Sequence, residues 1–405
     1  MKGTDVQTTG QTIGILIATA IVAAFLVWPR LAKAKLWRAS ITPLASIIGS
    51  GFLVLGPILA QAYGLWTPVA MALLCGMAYA IGSAVRFNIM ALDREAHVGR
   101  TVWLESLASW ALAFAYIISV AYYLNLLGSF AVSLTPWNTA MAGRIVTSAV
   151  YAVILSVGWT KGFHALERLE QVSVGLKLAI IGGLLFGLGW YFAQTAQGDA
   201  LVFAPATQTG WAGLSLLFGL LVTVQGFETS RYLGQDYDAV TRVRSMRIAQ
   251  GVSTAIYMIY VAFIAYVFRP DQIGTSETAI IDMMVLVAPI LPILLVLAAL
   301  AAQFSAAVAD TSGAGGLISE LTQGRIPVKF GYVLLVGFGV AITWGADVFQ
   351  IISWASKAFA AYYALQAAIA VGLAKRDGAG AGRVMFFAAI SALAVAAMIF
   401  GTAVE

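Results

Sequence analysis

The chain has 405 residues, of which 61% are hydrophobic and only 10% are charged. A soluble domain carries about 25% charged residues, so this composition predicts a multi-spanning membrane protein. The one cysteine, Cys75, excludes a disulfide framework and a cysteine-based metal site, and two histidines are too few for a metal cluster. The net charge of +5 would suggest a nucleic-acid partner in a soluble protein, but its distribution along this chain favours another explanation.

Runs of about 18 or more apolar residues predict twelve membrane-spanning helices. They lie near residues 12–29, 41–61, 66–88, 102–134, 144–160, 170–195, 210–233, 247–268, 288–316, 330–345, 348–374 and 385–402. Residues 274–287 predict an amphipathic surface helix before the ninth span. Because the positive charges follow the first apolar run instead of preceding it, we interpret that run as a retained helix and not as a signal peptide.

The basic residues separate by side of the membrane. Eighteen of the 23 Lys and Arg fall in alternate loops on one side, whereas three (Lys2, Arg144 and Arg269) fall on the other, and Lys177 and Lys357 lie within spans. Cytoplasmic loops carry the excess of Lys and Arg. We therefore expect a multi-pass protein of the plasma membrane (the inner membrane in a bacterium), with both termini outside, lipid as a partner and no nucleic acid.

Two predicted spans are interrupted by glycine. The first contains Gly49-Ser50-Gly51 and the second contains Gln225-Gly226-Phe227. Glycine weakens a helix, and backbone groups freed within a membrane must find a partner in protein or in a water-filled cavity. Interrupted helices at matching positions of two halves point to a transporter site at the midplane.

The spans after the first divide into two halves of five. We predict an extra N-terminal helix with its basic loop in 1–38, a first repeat in 39–196, a second repeat in 208–375, and a final helix in 376–405. An odd number of spans inverts the second half relative to the first, so the prediction is an all-α membrane protein with a five-plus-five inverted repeat.

Three short segments resemble the amino acid–polyamine–organocation (APC) superfamily, which has the LeuT-type fold. They are Ile48-Gly49-Ser50-Gly51-Phe52, Gln225-Gly226-Phe227-Glu228 with Asp236, Asp238, Arg242 and Arg244 after it, and Glu170-Gln171 running into Leu176-Lys177-Leu178. The resemblance covers about 41–402 and implies discontinuous first and sixth core helices. The extra first helix and the segment 301–306 are instead similar to the sodium/solute symporters, which share the core fold.

The two interruptions predict a site for a zwitterion. Amides at the N-terminus of a half-helix favour a carboxylate, and freed carbonyls near the second interruption would accept from an ammonium. The predicted substrate-binding residues are Ile48, Gly49, Ser50, Gly51, Thr223, Gly226, Phe227 and Glu228, with Phe227 as a candidate gate. Glu228 could bind a substrate amine, carry a proton, or pair with Arg231 to brace the loop. The aromatic stripe Trp354, Phe359, Tyr362 and Tyr363 is interpreted as helix packing.

The sequence leaves two hypotheses for the coupling ion, a proton or a sodium ion. Lys177 could extend to the membrane interface, whereas the resemblance implies that it fills the place of a sodium ion and carries a proton. A competing sodium site would use Ala45, Ile48, Ala302 and Ser305. Asp310 is a second candidate coupling residue, and its pairing with Lys177, Lys357 or neither is left open.

The resemblance and the interruptions together predict a secondary transporter for an amino acid or a related small zwitterion, coupled to protons or working by exchange. The alternatives are a sodium-coupled solute symporter and, in another class, a membrane sensor or assembly subunit that retains the fold. The glycines of 313–316 lack the Gly-Lys-Ser/Thr of a phosphate-binding loop, and no nucleophile triad is present. We therefore expect no enzyme and no cofactor other than the coupling proton or sodium.

Overall fold

The computed structural model describes residues 2–49, 51–94, 102–160, 164–234 and 236–404; for residues 2–8, 93, 94, 102 and 164–171 it describes the backbone. This part of the chain is almost entirely helical and contains no strand. Its α-helices are α1 (Lys2–Val27), α2 (Pro29–Ala32), α3 (Lys35–Ile47), α4 (Gly51–Tyr63), α5 (Thr67–Arg94), α6 (Val102–Ser133), α7 (Ala140–Thr160), α8 (His164–Gln197), α9 (Gly210–Gly219), α10 (Ala239–Val267), α11 (Ala279–Val287), α12 (Leu291–Leu321), α13 (Val328–Gly345), α14 (Val348–Arg376) and α15 (Ala381–Phe400).

Ten helical stretches of the described residues are long and apolar enough to cross a membrane. Each stretch corresponds to one of ten predicted spans. The stretch Gly51–Leu92 corresponds to the third predicted span, in α5, and also includes α4. The other two predicted spans, 41–61 and 210–233, are the interrupted ones. Their pieces are too short to cross alone, since α3 and α4 have 13 residues each and α9 has 10. The protein is a multi-pass all-α membrane protein.

The first interruption separates α3 from α4. Helical geometry ends at Ile47, Ile48 has φ −84° and ψ 53°, and α4 begins at Gly51. Each piece also contains a proline, Pro43 in α3 and Pro57 in α4. Proline lacks the N–H that would bond four residues back, so both pieces are locally weakened as helices.

The second interruption is longer than the sequence predicts. It begins after Gly219, passes through a 3-10 turn at Leu221–Val224, and becomes extended at Gln225. Gly226 has φ +115°, a conformation that favours glycine. A second 3-10 segment, Phe227–Tyr232, leads to the loop before α10. The chain therefore leaves α-helical geometry several residues before the predicted Gln225-Gly226-Phe227 segment.

The remaining helices surround these two interruptions. The helix α6 packs against α12 and α14, and α10 packs against α3, α4 and α5. The N-terminal helix α1 packs against α8, where Gly182 and Gly183 allow Val22 and Thr19 to approach closely. Small residues bring membrane helices together in this way. Of the surface helix predicted over 274–287, only Ala279–Val287 is helical, as α11. One face of α11 is buried against α12, α4 and α8, and the other face exposes Val285 and Leu286, so it is less amphipathic than predicted.

Candidate substrate and ion site

The two interruptions lie directly against each other. A Cβ placed on Gly226 would be 2.5 Å from Cβ of Ser46 and 2.7 Å from the backbone nitrogen of Ile47. A Cβ on Gly51 would be 2.9 Å from Cα of Thr223 and 2.7 Å from the Tyr122 hydroxyl. Real Cβ atoms do not approach this closely. Glycine at both positions therefore allows the backbones of the two interruptions to touch.

A tyrosine of α10 joins the two interruptions. The Tyr257 hydroxyl lies 2.8 Å from the carbonyl oxygen of Ile47 and 2.7 Å from that of Thr223. It has one proton, so it donates to one of these carbonyls at a time. Both carbonyls have lost their helical partners, and hydrocarbon offers none. Sequence analysis missed Tyr257 because nothing distinguishes it from other aromatic residues of an apolar helix.

Glu228 is buried immediately after the second interruption. Its Oε2 accepts from the Gly226 N–H at 3.0 Å and from the Tyr363 hydroxyl at 2.8 Å. The Phe227 ring is stacked on the Tyr363 ring, with centroids 5.2 Å apart and an interplanar angle of 19°. Tyr363 therefore donates a hydrogen bond to a candidate site residue in addition to packing within the protein. The interpretation of its aromatic stripe as helix packing did not include this hydrogen bond.

The Gln225 side chain brings two further tyrosines to the second interruption. Its Nε2 donates to the Tyr123 hydroxyl of α6 at 3.4 Å, and its Oε1 lies 3.3 Å from the Tyr363 hydroxyl of α14. Tyr123 also lies 3.8 Å from the Cβ position of Gly49. The helices α6 and α14 therefore line the meeting point of the interruptions.

Arg231 does not brace Glu228. Its guanidinium forms an ion pair with Glu105 of α6 and donates to Oε1 of Gln366 in α14. The bracing alternative for Glu228 was wrong because it considered only neighbours in the sequence. A guanidinium with five donors in a planar fork can bridge two acceptors on different helices.

Lys177 of α8 is buried, with 3% of its surface exposed. Its ammonium donates to the Ala45 carbonyl oxygen near the end of α3, at a distance of 2.6 Å. The side chain therefore turns toward the first interruption instead of extending to the membrane interface. Ala45 is one of the four residues of the predicted sodium site. Two others, Ala302 and Ser305, lie on α12, which packs against both α3 and α8.

The second coupling candidate, Asp310, is buried in α12. Its Oδ2 accepts a hydrogen bond from the Ser119 hydroxyl of α6. Lys357, a lysine that the sequence also places within a span, lines a separate apolar cavity of about 600 Å³ between α6, α13, α14 and α15. Ser50 of the predicted carboxylate site, and the side chains of Glu170 and Gln171, lie outside the described residues.

The comparisons with known proteins agree with this architecture. A family model described as an APC superfamily transporter matches residues 29–401, which leaves α1 outside the match. The chain is 39% identical over 396 residues to an uncharacterized protein of Aquifex aeolicus (strain VF5), and the match covers 94% of each chain. The protein belongs to the APC superfamily of transporters.

Proposed function

We propose that this transporter carries an amino acid or a related small zwitterion through a midplane site where the two interrupted helices meet. Two groups of opposite partial charge support the proposal. The N-terminus of α4 at Gly51 favours a carboxylate, and carbonyls freed around Thr223 favour an ammonium. Glycine at Gly51 and Gly226 lets the two interruptions touch, which brings these backbone groups close enough for one small ligand to bind both. Alternating access would then expose the site to each side in turn.

We further propose that transport is coupled to protons. The observation that carries this step is the 2.6 Å hydrogen bond from the Lys177 ammonium to the Ala45 carbonyl. That carbonyl is needed by the predicted sodium site, and a sodium ion bound to it would face a positive charge in a poorly hydrated environment. A proton on Lys177 could serve as the coupling ion in its place. Loss of that proton would leave a neutral amine, which is a weaker donor to the Ala45 carbonyl, so the contact between α8 and α3 would weaken.

The test is uptake into proteoliposomes that contain the purified protein. With an inward proton gradient imposed, uptake of a radiolabelled amino acid mixture should rise above the rate without a gradient. A sodium gradient at constant pH should have no effect. Uptake that ignores the proton gradient and rises with sodium would replace this proposal with the sodium-symporter alternative. Tight binding without counterflow would favour a sensor that retains the fold.

A further inference from the structure

Gln303 of α12 is a buried amide without a partner in the described part of the chain. The side chain is fully buried, and neither its Nε2 nor its Oε1 has a hydrogen-bond partner there. Among the described side chains, Gln303 is the one in which two buried polar atoms have no hydrogen-bond partner. Buried polar groups in proteins are almost always hydrogen-bonded, so an amide with neither atom paired indicates a ligand or an ordered water.

The position of Gln303 connects it to the candidate site. It follows Ala302 of the predicted ion pocket directly in the sequence, and its side chain turns to the neighbouring face of α12. It is seven residues from Asp310, so the two side chains share one face of α12. Asp310 contacts Ser119 of α6. The same helix α6 carries Tyr122 and Tyr123, which contact the two interruptions.

The chemistry of an amide restricts what can satisfy it. A sodium ion or an ammonium would use Oε1 alone, and a carboxylate would use Nε2 alone. Under the proposed function the ammonium and the carboxylate of the substrate bind the backbone of the two interruptions, so the group left for Gln303 is the substrate side chain. An uncharged group there that both donates and accepts, such as a hydroxyl or a carboxamide, would satisfy both atoms. A water molecule would do the same, so the experiment has to separate water from substrate.

We propose that Gln303 contacts the transported substrate and selects zwitterions whose side chain carries a hydroxyl or a carboxamide. This inference rests on the proposed function. A site that leaves its own amide unpaired disfavours an apolar analogue of the same size, because the analogue cannot replace the missing hydrogen bonds.

The first measurement uses the wild-type protein in nanodiscs. Isothermal titration gives the Kd of two pairs of similar size, threonine with valine and glutamine with methionine. In at least one pair the polar member should bind about tenfold tighter or more. If amino acids bind but neither pair shows a tighter Kd for its polar member, this inference is overturned and the proposed function stands. If no amino acid binds, the proposed function fails and this inference fails with it.

The second measurement compares two variants. Gln303→Met should abolish the preference by raising the Kd of the polar member. It should leave the apo melting temperature unchanged or higher, since the amide has no partner to lose among the described residues. The control is Asn125→Leu. Asn125 is buried and donates to the Ala121 carbonyl and the Thr343 hydroxyl, so its loss should lower the melting temperature and keep the preference. If Gln303→Met instead lowers the melting temperature and keeps the preference, the amide binds only water or protein and the inference is overturned.

Discussion

Gly226 and Ser46 touch across the two interrupted helices. A Cβ on Gly226 would lie 2.5 Å from Cβ of Ser46, and Gly226 has φ +115°. The position therefore needs glycine for two independent reasons, the space and the backbone conformation.

The first prediction concerns this contact. Gly226→Ala should lower the free energy of unfolding by about 2 kcal/mol or more, because it adds both backbone strain and a clash with Ser46. The control is Gly76→Ala in α5, where a Cβ would meet nothing within 4 Å. That change should be neutral or stabilise the helix by about 0.5–1 kcal/mol. Thermal unfolding in detergent measures both, and equal melting temperatures would contradict the assignment.

The second prediction concerns coupling. Lys177→Ala should remove the dependence of uptake on an inward proton gradient, because it deletes the group that donates to Ala45. Exchange of substrate should survive, since the zwitterion site consists of other residues. Lys357→Ala is the matched control, because that lysine lines a separate apolar cavity. The measurement is initial uptake rate against external pH, with and without sodium. A Lys177→Ala profile identical to wild type would refute the role of this lysine.

The third prediction concerns Glu228. Tyr363→Phe keeps the ring that stacks on Phe227 and removes the hydroxyl that donates to Glu228 at 2.8 Å. Leaving a buried carboxylate with one donor fewer should cost about 1–3 kcal/mol of stability. Substrate affinity should fall as well, because Glu228 adjoins the site. Tyr362→Phe, which loses a hydroxyl contact to Tyr232 instead, should keep the wild-type affinity. Denaturant unfolding and titration with substrate distinguish the two variants.

The fourth prediction concerns the start of α10. Asp238 accepts from the Thr241 N–H at 2.8 Å and pairs with Lys35 at 2.9 Å. Bonding to Lys35 and Thr241 holds the pKa of Asp238 below its usual range. A depressed carboxyl pKa stabilises the fold at neutral pH, and this contribution is lost as the pH falls below the usual aspartate range of about 4. Asp238→Ala should lower the melting temperature at pH 7 and remove part of this acid dependence.

The control for that prediction is Asp238→Asn. Asparagine is as good an N-cap as aspartate, so the variant should keep most of the neutral-pH stability. It has no charge to titrate, and its melting temperature should therefore fall less than that of the wild type as the pH is lowered from about 4 to about 2. An acid dependence equal to that of the wild type would show that Asp238 is not the titrating group.

The sequence alone determined the class of the protein, its membrane-crossing segments, the place of the first helix break and the approximate place of the second. Composition and the length of apolar runs indicate that the helices are surrounded by lipid. Gly49-Ser50-Gly51 and Gln225-Gly226-Phe227 interrupt helices because glycine has little preference for helical geometry. These properties are local, so they can be read along the chain. The family match over residues 29–401 confirms the resemblance that those short segments carry.

Only the tertiary structure decided which residues meet at the breaks. Tyr257 reaches Ile47 from 210 positions away, and Arg231 pairs with Glu105 instead of its neighbour Glu228. In the sequence Gln303 is one polar residue within an apolar run, and only the structure shows that it is buried with no hydrogen-bond partner among the described residues. The physical reason is that lipid is as apolar as a protein interior. Hydropathy therefore marks where a membrane helix runs, but not which of its faces turns toward the site.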